Sequence, residues 1–260
     1  MAIFRGTLRS KTLGMDTSVQ VVIPFEQQEG GKAGKPYHKT LYLLHGLKQN
    51  ADAWLRYSEA ERFAEEMGYV LVAPEVHRSY YTDMKLGMHY FTYITQELPE
   101  VIQKVFRIAH NRDHTFVAGL SMGGYGAMKC ALSRPDLYGG AMCFSSAFFR
   151  LEEPEKLTNC TLDELRAVLG CDLKRGEEDD LSSKLAHYPP QEKKPLLYLA
   201  CGTEDFLYDH NIRMCRELER FDFPFAFEQW EGAHNWVFWN TALQKAMKYI
   251  SSRVDGSALA

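Results

Sequence analysis

Short, nearly continuous apolar runs alternate along the chain with stretches whose apolar positions recur every three to four residues, the signature of buried strands separated by amphipathic helices. The runs predict strands at Ile3–Leu8, Gln20–Ile23, Thr40–Leu44, Tyr69–Ala73, Thr115–Ala118, Ala141–Phe144, Leu196–Ala200 and Phe225–Gln229. Helical spacing is read at Glu59–Glu66, at Val101, Ile102, Val105, Phe106 and Ala109, at Tyr125–Leu132, at Ile212, Cys215 and Leu218, and at Asn240–Ile250. Pro99 falls inside the longest helical pattern, so a helix starts or kinks there. No helix separates the first two strands, which predicts an antiparallel start at one sheet edge with a turn near Gly14.

Such alternation is the pattern of a mostly parallel, eight-stranded α/β sheet with helices on both faces. Residues 147–194 break it. They are strongly charged around Lys174 to Asp180 and hold one plausible helix, Leu162–Leu169, so they read as a small cap insertion after the sixth strand, within a single domain of residues 1–260. An insertion there would lie over the carboxyl ends of the strands, where open α/β sheets keep their ligands. The run Glu177, Glu178, Asp179, Asp180 is expected to be solvated loop rather than a metal site. Gln27–Pro36 reads as a loop, and the tail after Ser252 as frayed.

The 260 residues are 45% hydrophobic and 25% charged, which suits one folded core and excludes a disordered chain. A net charge of −4 without a long basic run argues against nucleic-acid binding. The longest apolar stretches, such as Leu41–Leu44 and Pro195–Cys201, fall far short of the roughly 20 residues of a membrane helix. The first residues lack the apolar core of a secretory signal, so a cytoplasmic location is expected. Cys130, Cys143, Cys160, Cys171, Cys201 and Cys215 form no CxxC pair and read as reduced, mostly buried thiols rather than zinc ligands. No histidine has a metal partner at a familiar spacing, and no metal or organic cofactor is expected.

The chemistry concentrates at Gly119-Leu120-Ser121-Met122-Gly123, between the strand ending at Ala118 and the helix-prone Tyr125–Leu132. This is the G-x-S-x-G elbow, in which a sharp strand-to-helix turn presents a serine hydroxyl above the sheet and the flanking glycines remove clashing side chains. Such a serine needs a base and an orienting acid, which this motif's fold supplies downstream in the order Asp or Glu, then His. Asp205 follows the strand Leu196–Ala200 and His234 follows Phe225–Gln229. Glu204 and Asp209 compete as the acid; Asp205 is preferred because a turn at Gly202 can aim it back across the sheet. His210 and His187 have the right order but belong to a surface helix and the insertion, and the remaining histidines read as solvated or structural.

An oxyanion developing on the substrate carbonyl needs aimed N–H donors. The Met122 N–H, at the positive end of a helix, is one candidate. The Leu47 N–H is the other, in Leu43-Leu44-His45-Gly46-Leu47, where Gly46 allows close approach and His45 is expected to brace the loop. Trp54, Tyr81, Phe148, Phe149, Trp236 and Trp239 are candidates for an acyl or sugar pocket, with core packing as the competing reading.

Together with Tyr42-Leu43-Leu44-His45-Gly46-Leu47, Tyr81-Thr82-Asp83, Glu97-Leu98-Pro99, Gly202-Thr203-Glu204-Asp205-Phe206-Leu207-Tyr208, and His234 with Trp236 and Trp239, the elbow resembles the esterase D-like branch of the α/β-hydrolase superfamily, nearest the bacterial tributyrin esterases. The resemblance runs from about Leu8 to Ile250. It implies a serine carboxylesterase for short acyl esters, acetylated sugars included, with relatives that cleave feruloyl esters and S-formylglutathione. It places the triad on Ser121, Asp205 and His234, and the oxyanion donors on Leu47 and Met122. The expected partner is a small ester, with self-association a family-level expectation; a non-catalytic ligand-binding protein on the same fold is the reading outside enzymes.

Overall fold

In a computed structural model, which describes residues 1–25, 39–108, 111–148, 160–173 and 176–254, eight strands form one sheet. They are β1 (Ala2–Ser10), β2 (Met15–Ile23), β3 (Lys39–Leu44), β4 (Tyr69–Pro74), β5 (Thr115–Leu120), β6 (Gly140–Phe144), β7 (Leu196–Gly202) and β8 (Phe225–Trp230), in spatial order β1-β2-β4-β3-β5-β6-β7-β8. β1 and β2 form an antiparallel hairpin whose register runs from Ala2 opposite Ile23 to Ser10 opposite Met15, and β2 joins β4 antiparallel; the other pairings are parallel. β2 begins five residues before the expected Gln20 because its first half is an edge ladder with one wet face, too polar to stand out in sequence. Gly14, at φ +65°, makes the turn.

Period-2 alternation divides the central strands between two cores. Tyr42, Leu44, Val117 and Cys143 face one, with α3 (Tyr90–Thr92), a π-turn (Tyr93–Glu97), α4 (Leu98–Phe106), α5 (Met122–Ser133) and α8 (Tyr208–Arg220). Leu41, Leu43, Phe116 and Met142 face the other, under α1 (Ala53–Tyr57), α2 (Ala60–Met67) and α9 (Trp236–Val254). Pro99 lies in the first turn of α4, as expected, and the helical run from Tyr90 to Phe106 passes into α4 through the π-turn just before it. The Thr95 carbonyl, which Pro99 cannot bond, accepts from the Arg134 guanidinium instead. α9 starts four residues earlier than the expected Asn240, with the Asn235 side chain accepting from the Phe238 N–H at 3.2 Å.

The insertion packs as structure. Its helix α6 (Leu162–Leu169) begins with a capping box between Thr161 and Glu164, and Leu165, Val168 and Leu169 are buried in the first core. A second helix, α7 (Leu181–Ala186), was not expected; Asp180 caps it by accepting from the N–H groups of Ser182 and Ser183. The acidic run is therefore solvated only in its first half, Glu177 and Glu178 being exposed loop residues. Asp179 is buried, ion-paired with the equally buried Lys129 of α5, and its carbonyl accepts from the Tyr125 hydroxyl at 2.6 Å. The Lys129 ammonium also donates to the Tyr81 carbonyl at 2.9 Å and lies 3.9 Å from the Phe91 ring centroid. Arg78 bridges to the insertion from the β4–α3 loop, reaching both Glu164 oxygens at 2.6 and 3.1 Å.

All six cysteines are free, with Cys130, Cys143, Cys201 and Cys215 buried. No helix among the described residues is long and apolar enough to cross a membrane. The expected loop Gln27–Pro36, Phe149 and the chain beyond Val254 lie outside the described residues.

Candidate active site

β4 pairs with one side of β3 and β5 with the other, so the chain reverses its direction of winding between β3 and β5. A crevice opens at the carboxyl ends of such a pair of strands. Ser121 follows β5 there, at φ 55° and ψ −119°, a conformation an L-residue does not adopt without restraint. The restraint is visible. The Ser121 N–H donates to Phe144 O at 2.9 Å, while the Ser121 carbonyl accepts from Gly124, Tyr125 and Ala147. The elbow also needs a bare residue at position 123, since a Cβ there would stand 2.2 Å from the Leu44 carbonyl oxygen. That close approach brings the start of α5 against the end of β3.

From Ser121 a hydrogen-bonded chain runs back into the protein. Ser121 Oγ lies 3.1 Å from His234 Nε2, and His234 Nδ1 lies 2.9 and 3.1 Å from the two Asp205 oxygens. Two loops are stitched together to hold this geometry: the Thr203 N–H donates to Trp230 O and the Glu204 N–H to Gly232 O, both at 3.0 Å. Gly202 permits it, because a Cβ there would fall 2.1 Å from Gly232 O. Asp205 is buried and also accepts from the Leu207 N–H at 2.9 Å. Burial pushes its carboxyl pKa up, but the bonds from His234 and the Leu207 N–H outweigh that and leave it below the ordinary aspartate value. Glu204 is exposed and Asp209 lies in the first turn of α8, and the structure brings neither to the imidazole.

Leu47 lies in the loop after β3 and Met122 is the first residue of α5. Neither N–H has a hydrogen-bond partner among the described residues. Gly46 brings the first of these loops to the serine, for a Cβ at 46 would stand 3.5 Å from Ser121 Cβ. His45 is buried beneath it, its Nδ1 2.9 Å from Gly46 O and its Nε2 3.1 Å from Glu75 and 3.2 Å from the Val76 N–H. Arg78 Nη1 donates to the Leu47 carbonyl at 3.4 Å, so the guanidinium that holds Glu164 also touches this loop.

The aromatic candidates separate. Trp54 and Tyr81 are both 0% exposed and offer no surface to a ligand. Their polar ends are used internally, Trp54 Nε1 on Leu44 O at 3.1 Å and the Tyr81 hydroxyl on His45 O at 2.8 Å, so both brace the loop after β3 instead of lining a pocket. Phe148 is buried next to Ala147, whose N–H bonds the Ser121 carbonyl. Trp239 is buried edge-on to His234, with ring centroids 4.9 Å apart. Trp236 keeps part of its surface, packed among Trp54, Tyr57 and Trp239. The structure adds Phe206, which the sequence did not single out: its ring is exposed and centred 4.5 Å from the His234 ring. The available signal was an aromatic residue directly after the acid in a polar turn, with no helical or strand pattern to absorb it. Among the described residues no group of three or more His, Cys, Asp or Glu is placed to hold a metal.

This arrangement can activate a hydroxyl beside two free amide donors, which is the equipment of acyl transfer. Comparison with known proteins agrees. Residues 10–250 match the family described as "Putative esterase". The chain is 29% identical over 268 residues to an acetyl esterase of Caldicellulosiruptor saccharolyticus, covering 98% of this chain and all of that one. It is 32% identical to the structure of an S-formylglutathione hydrolase from Staphylococcus aureus, with a TM-score of 0.84 over 96% of this chain and 98% of the other. A second Staphylococcus aureus structure, the fluorophosphonate-binding serine hydrolase F, is 30% identical with a TM-score of 0.86 and the same coverage. The chain belongs to this esterase family and is a serine hydrolase of the α/β-hydrolase fold that acts on small esters.

Proposed function

We propose that the chain hydrolyses short acyl thioesters and esters through an acyl-serine, with a formylated or acetylated thiol such as S-formylglutathione as the first substrate class to examine. The observation that carries the mechanism is the unbroken chain from Ser121 Oγ through His234 to Asp205, beside the unpartnered N–H groups of Leu47 and Met122. Ser121 is the nucleophile. His234 accepts its proton at Nε2 while Nδ1–H donates to Asp205, which stays ionised and fixes the tautomer. The Leu47 and Met122 N–H groups receive the oxyanion, Nε2 returns the proton to the departing sulfur or oxygen, and water then repeats the sequence on the acyl-serine.

A short acyl group is supported by the closeness of Gly46 to the serine. The thiol is supported by the 32% identity to the S-formylglutathione hydrolase structure along nearly the whole chain. The acetyl esterase, which aligns along nearly the whole chain, supports a second reading in which the alcohol is a sugar hydroxyl meeting the partly open Trp236 ring. Within the superfamily, the His45-Gly46 loop and the glycine-rich elbow support placement near the esterase D-like and tributyrin-esterase branch.

The test compares S-formylglutathione, an acetylated xylo-oligosaccharide and a feruloyl ester on the purified chain and on Ser121→Ala. The expected result is the highest kcat/KM on the thioester and loss of all turnover in the variant. Retained turnover in folded Ser121→Ala sinks the mechanism, and a clear preference for the acetylated sugar replaces the thioester reading by the second one.

A further inference from the structure

Phe206 is a large apolar side chain that folding alone gives no reason to leave open. Its ring is 62% exposed, yet the backbone that carries it is fixed on both sides. The Asp205 N–H donates to Gly202 O at 3.1 Å, the Leu207 N–H to the Asp205 carboxylate at 2.9 Å, and the Tyr208 N–H to Asp205 O at 2.9 Å, while Leu207 itself is buried. The ring is thus pinned next to the residue that orients the imidazole. It stands 4.5 Å from His234, tilted by 48°, so the imidazole touches one sealed ring, Trp239, and one open ring, Phe206.

We propose that Phe206 is a specificity-determining residue that receives the leaving group. The inference rests on the acyl-serine reading above. When the first tetrahedral adduct collapses, the bond from the acyl carbon to the leaving oxygen or sulfur breaks and His234 Nε2 transfers its proton to that atom. The departing atom therefore lies within hydrogen-bond reach of Nε2, roughly 3 Å. Its next one or two carbons fall within van der Waals reach of what else borders the imidazole, and of the two rings against it among the described residues the open one is Phe206. An aryl alcohol, or a thiol whose polarisable sulfur meets the ring, gains a contact there that methanol does not. In the second half-reaction the leaving group has gone and water occupies its place, so the ring acts on acylation.

The experiment uses the full chain with Phe206→Ala and Phe206→Leu, the second keeping apolar bulk without the ring, on three acetyl donors: phenyl acetate, S-phenyl thioacetate and methyl acetate. The ratio of kcat/KM for the two aryl donors to that for methyl acetate should fall about three- to tenfold in Phe206→Ala and by less in Phe206→Leu. Rapid-mixing traces should place the change in the acylation burst. Equal losses on all three donors, or an unchanged ratio, overturn the proposal, because they leave the ring with only a structural effect on His234 or with none. Retained turnover of all three donors in folded Ser121→Ala overturns the acyl-serine reading instead, and so is told apart.

Discussion

Replacing Asp179 by Ala strands the Lys129 ammonium in an interior where it is 1% exposed. Two routes are then open to the folded chain. It can keep the charge, at the roughly 3–5 kcal/mol that breaking a buried ion pair costs. Or it can release the proton, which at pH 7 costs up to about 4.6 kcal/mol for a lysine whose unfolded pKa is ~10.4. The Tyr81 carbonyl and the Phe91 ring remain to support the cation, so the lower end is expected, about 3 kcal/mol. The sign of the pH dependence identifies the cause. Burial already holds the Lys129 pKa below its ordinary value against the opposing pull of Asp179, and removing the carboxylate lowers it further; the unfolded chain then binds more protons over a wider window, in which stability rises with pH. Urea melts of Asp179→Ala should therefore show a deficit that shrinks from pH 7 towards pH 10. Lys129→Ala strands the Asp179 carboxylate in turn and should carry a deficit of comparable size. Substituting the pair with Met and Leu should recover most of the loss. A deficit under about 1 kcal/mol, or one that does not move with pH in Asp179→Ala, would refute the claim that this pair ties the insertion to the nucleophile helix.

Four further outcomes follow from the geometry. Ser121→Gly should remove activity and yet melt a few degrees above Ser121→Ala, since glycine relieves a strain of about 1–3 kcal/mol at φ 55° and loses about 0.5–1 of it to backbone entropy; equal melting temperatures would show that the elbow stores no strain. Asp205→Asn should lower kcat by about four orders of magnitude with the fold intact, as circular dichroism and steady-state kinetics together can check. Glu75 is buried, which raises its pKa, but His45 and the N–H groups of His77 and Ala51 outweigh this and bring it down to about 2. Its carboxylate therefore adds stability above about pH 4.5 that is lost as the pH falls towards 2, so Glu75→Gln should cost about 2 kcal/mol at pH 6 and almost nothing near pH 2 in guanidinium melts. A double-mutant cycle on Arg78→Met and Glu164→Gln should return a coupling of about 0.5–1 kcal/mol in stability, the bidentate pair being partly exposed; a coupling of zero would detach α6 from the loop after β3.

The central strands were legible because each is a short apolar run bounded by breakers, unlike the wetter hairpin of β1 and β2, and the elbow because its chemistry fixes consecutive residues. Asp205 and His234 were legible from their positions just past strands, where the topology delivers side chains to one edge. What stayed hidden depends on partners distant in sequence. Nothing near Asp179 shows that it will be buried, since the cation that admits it, Lys129, sits 50 residues earlier in a helix of small apolar residues. Trp54 and Tyr81 looked available for a ligand because aromatic residues near a catalytic loop suit a pocket wall; the carbonyls of Leu44 and His45, which claim their polar ends, cannot be read from composition. Phe206 was passed over for the opposite reason, a lone aromatic in a polar turn being unremarkable until the imidazole is placed beside it. Pro99 marked the start of α4 correctly, but the π-turn before it and the Arg134 guanidinium that takes up the Thr95 carbonyl depend on residues no local pattern links.

The hydrogen bond between Ser121 and His234 joins residues 113 apart in sequence, and the one to Asp205 spans another 29. Contacts of such separation form late, because the entropy of closing the intervening chain is spent before they can stabilise anything. Recovery of esterase activity during refolding should accordingly lag behind the return of helical signal, with the docking of β7 and β8 as the step that restores turnover. The enzyme's own reaction then serves as a clock for the completion of its fold.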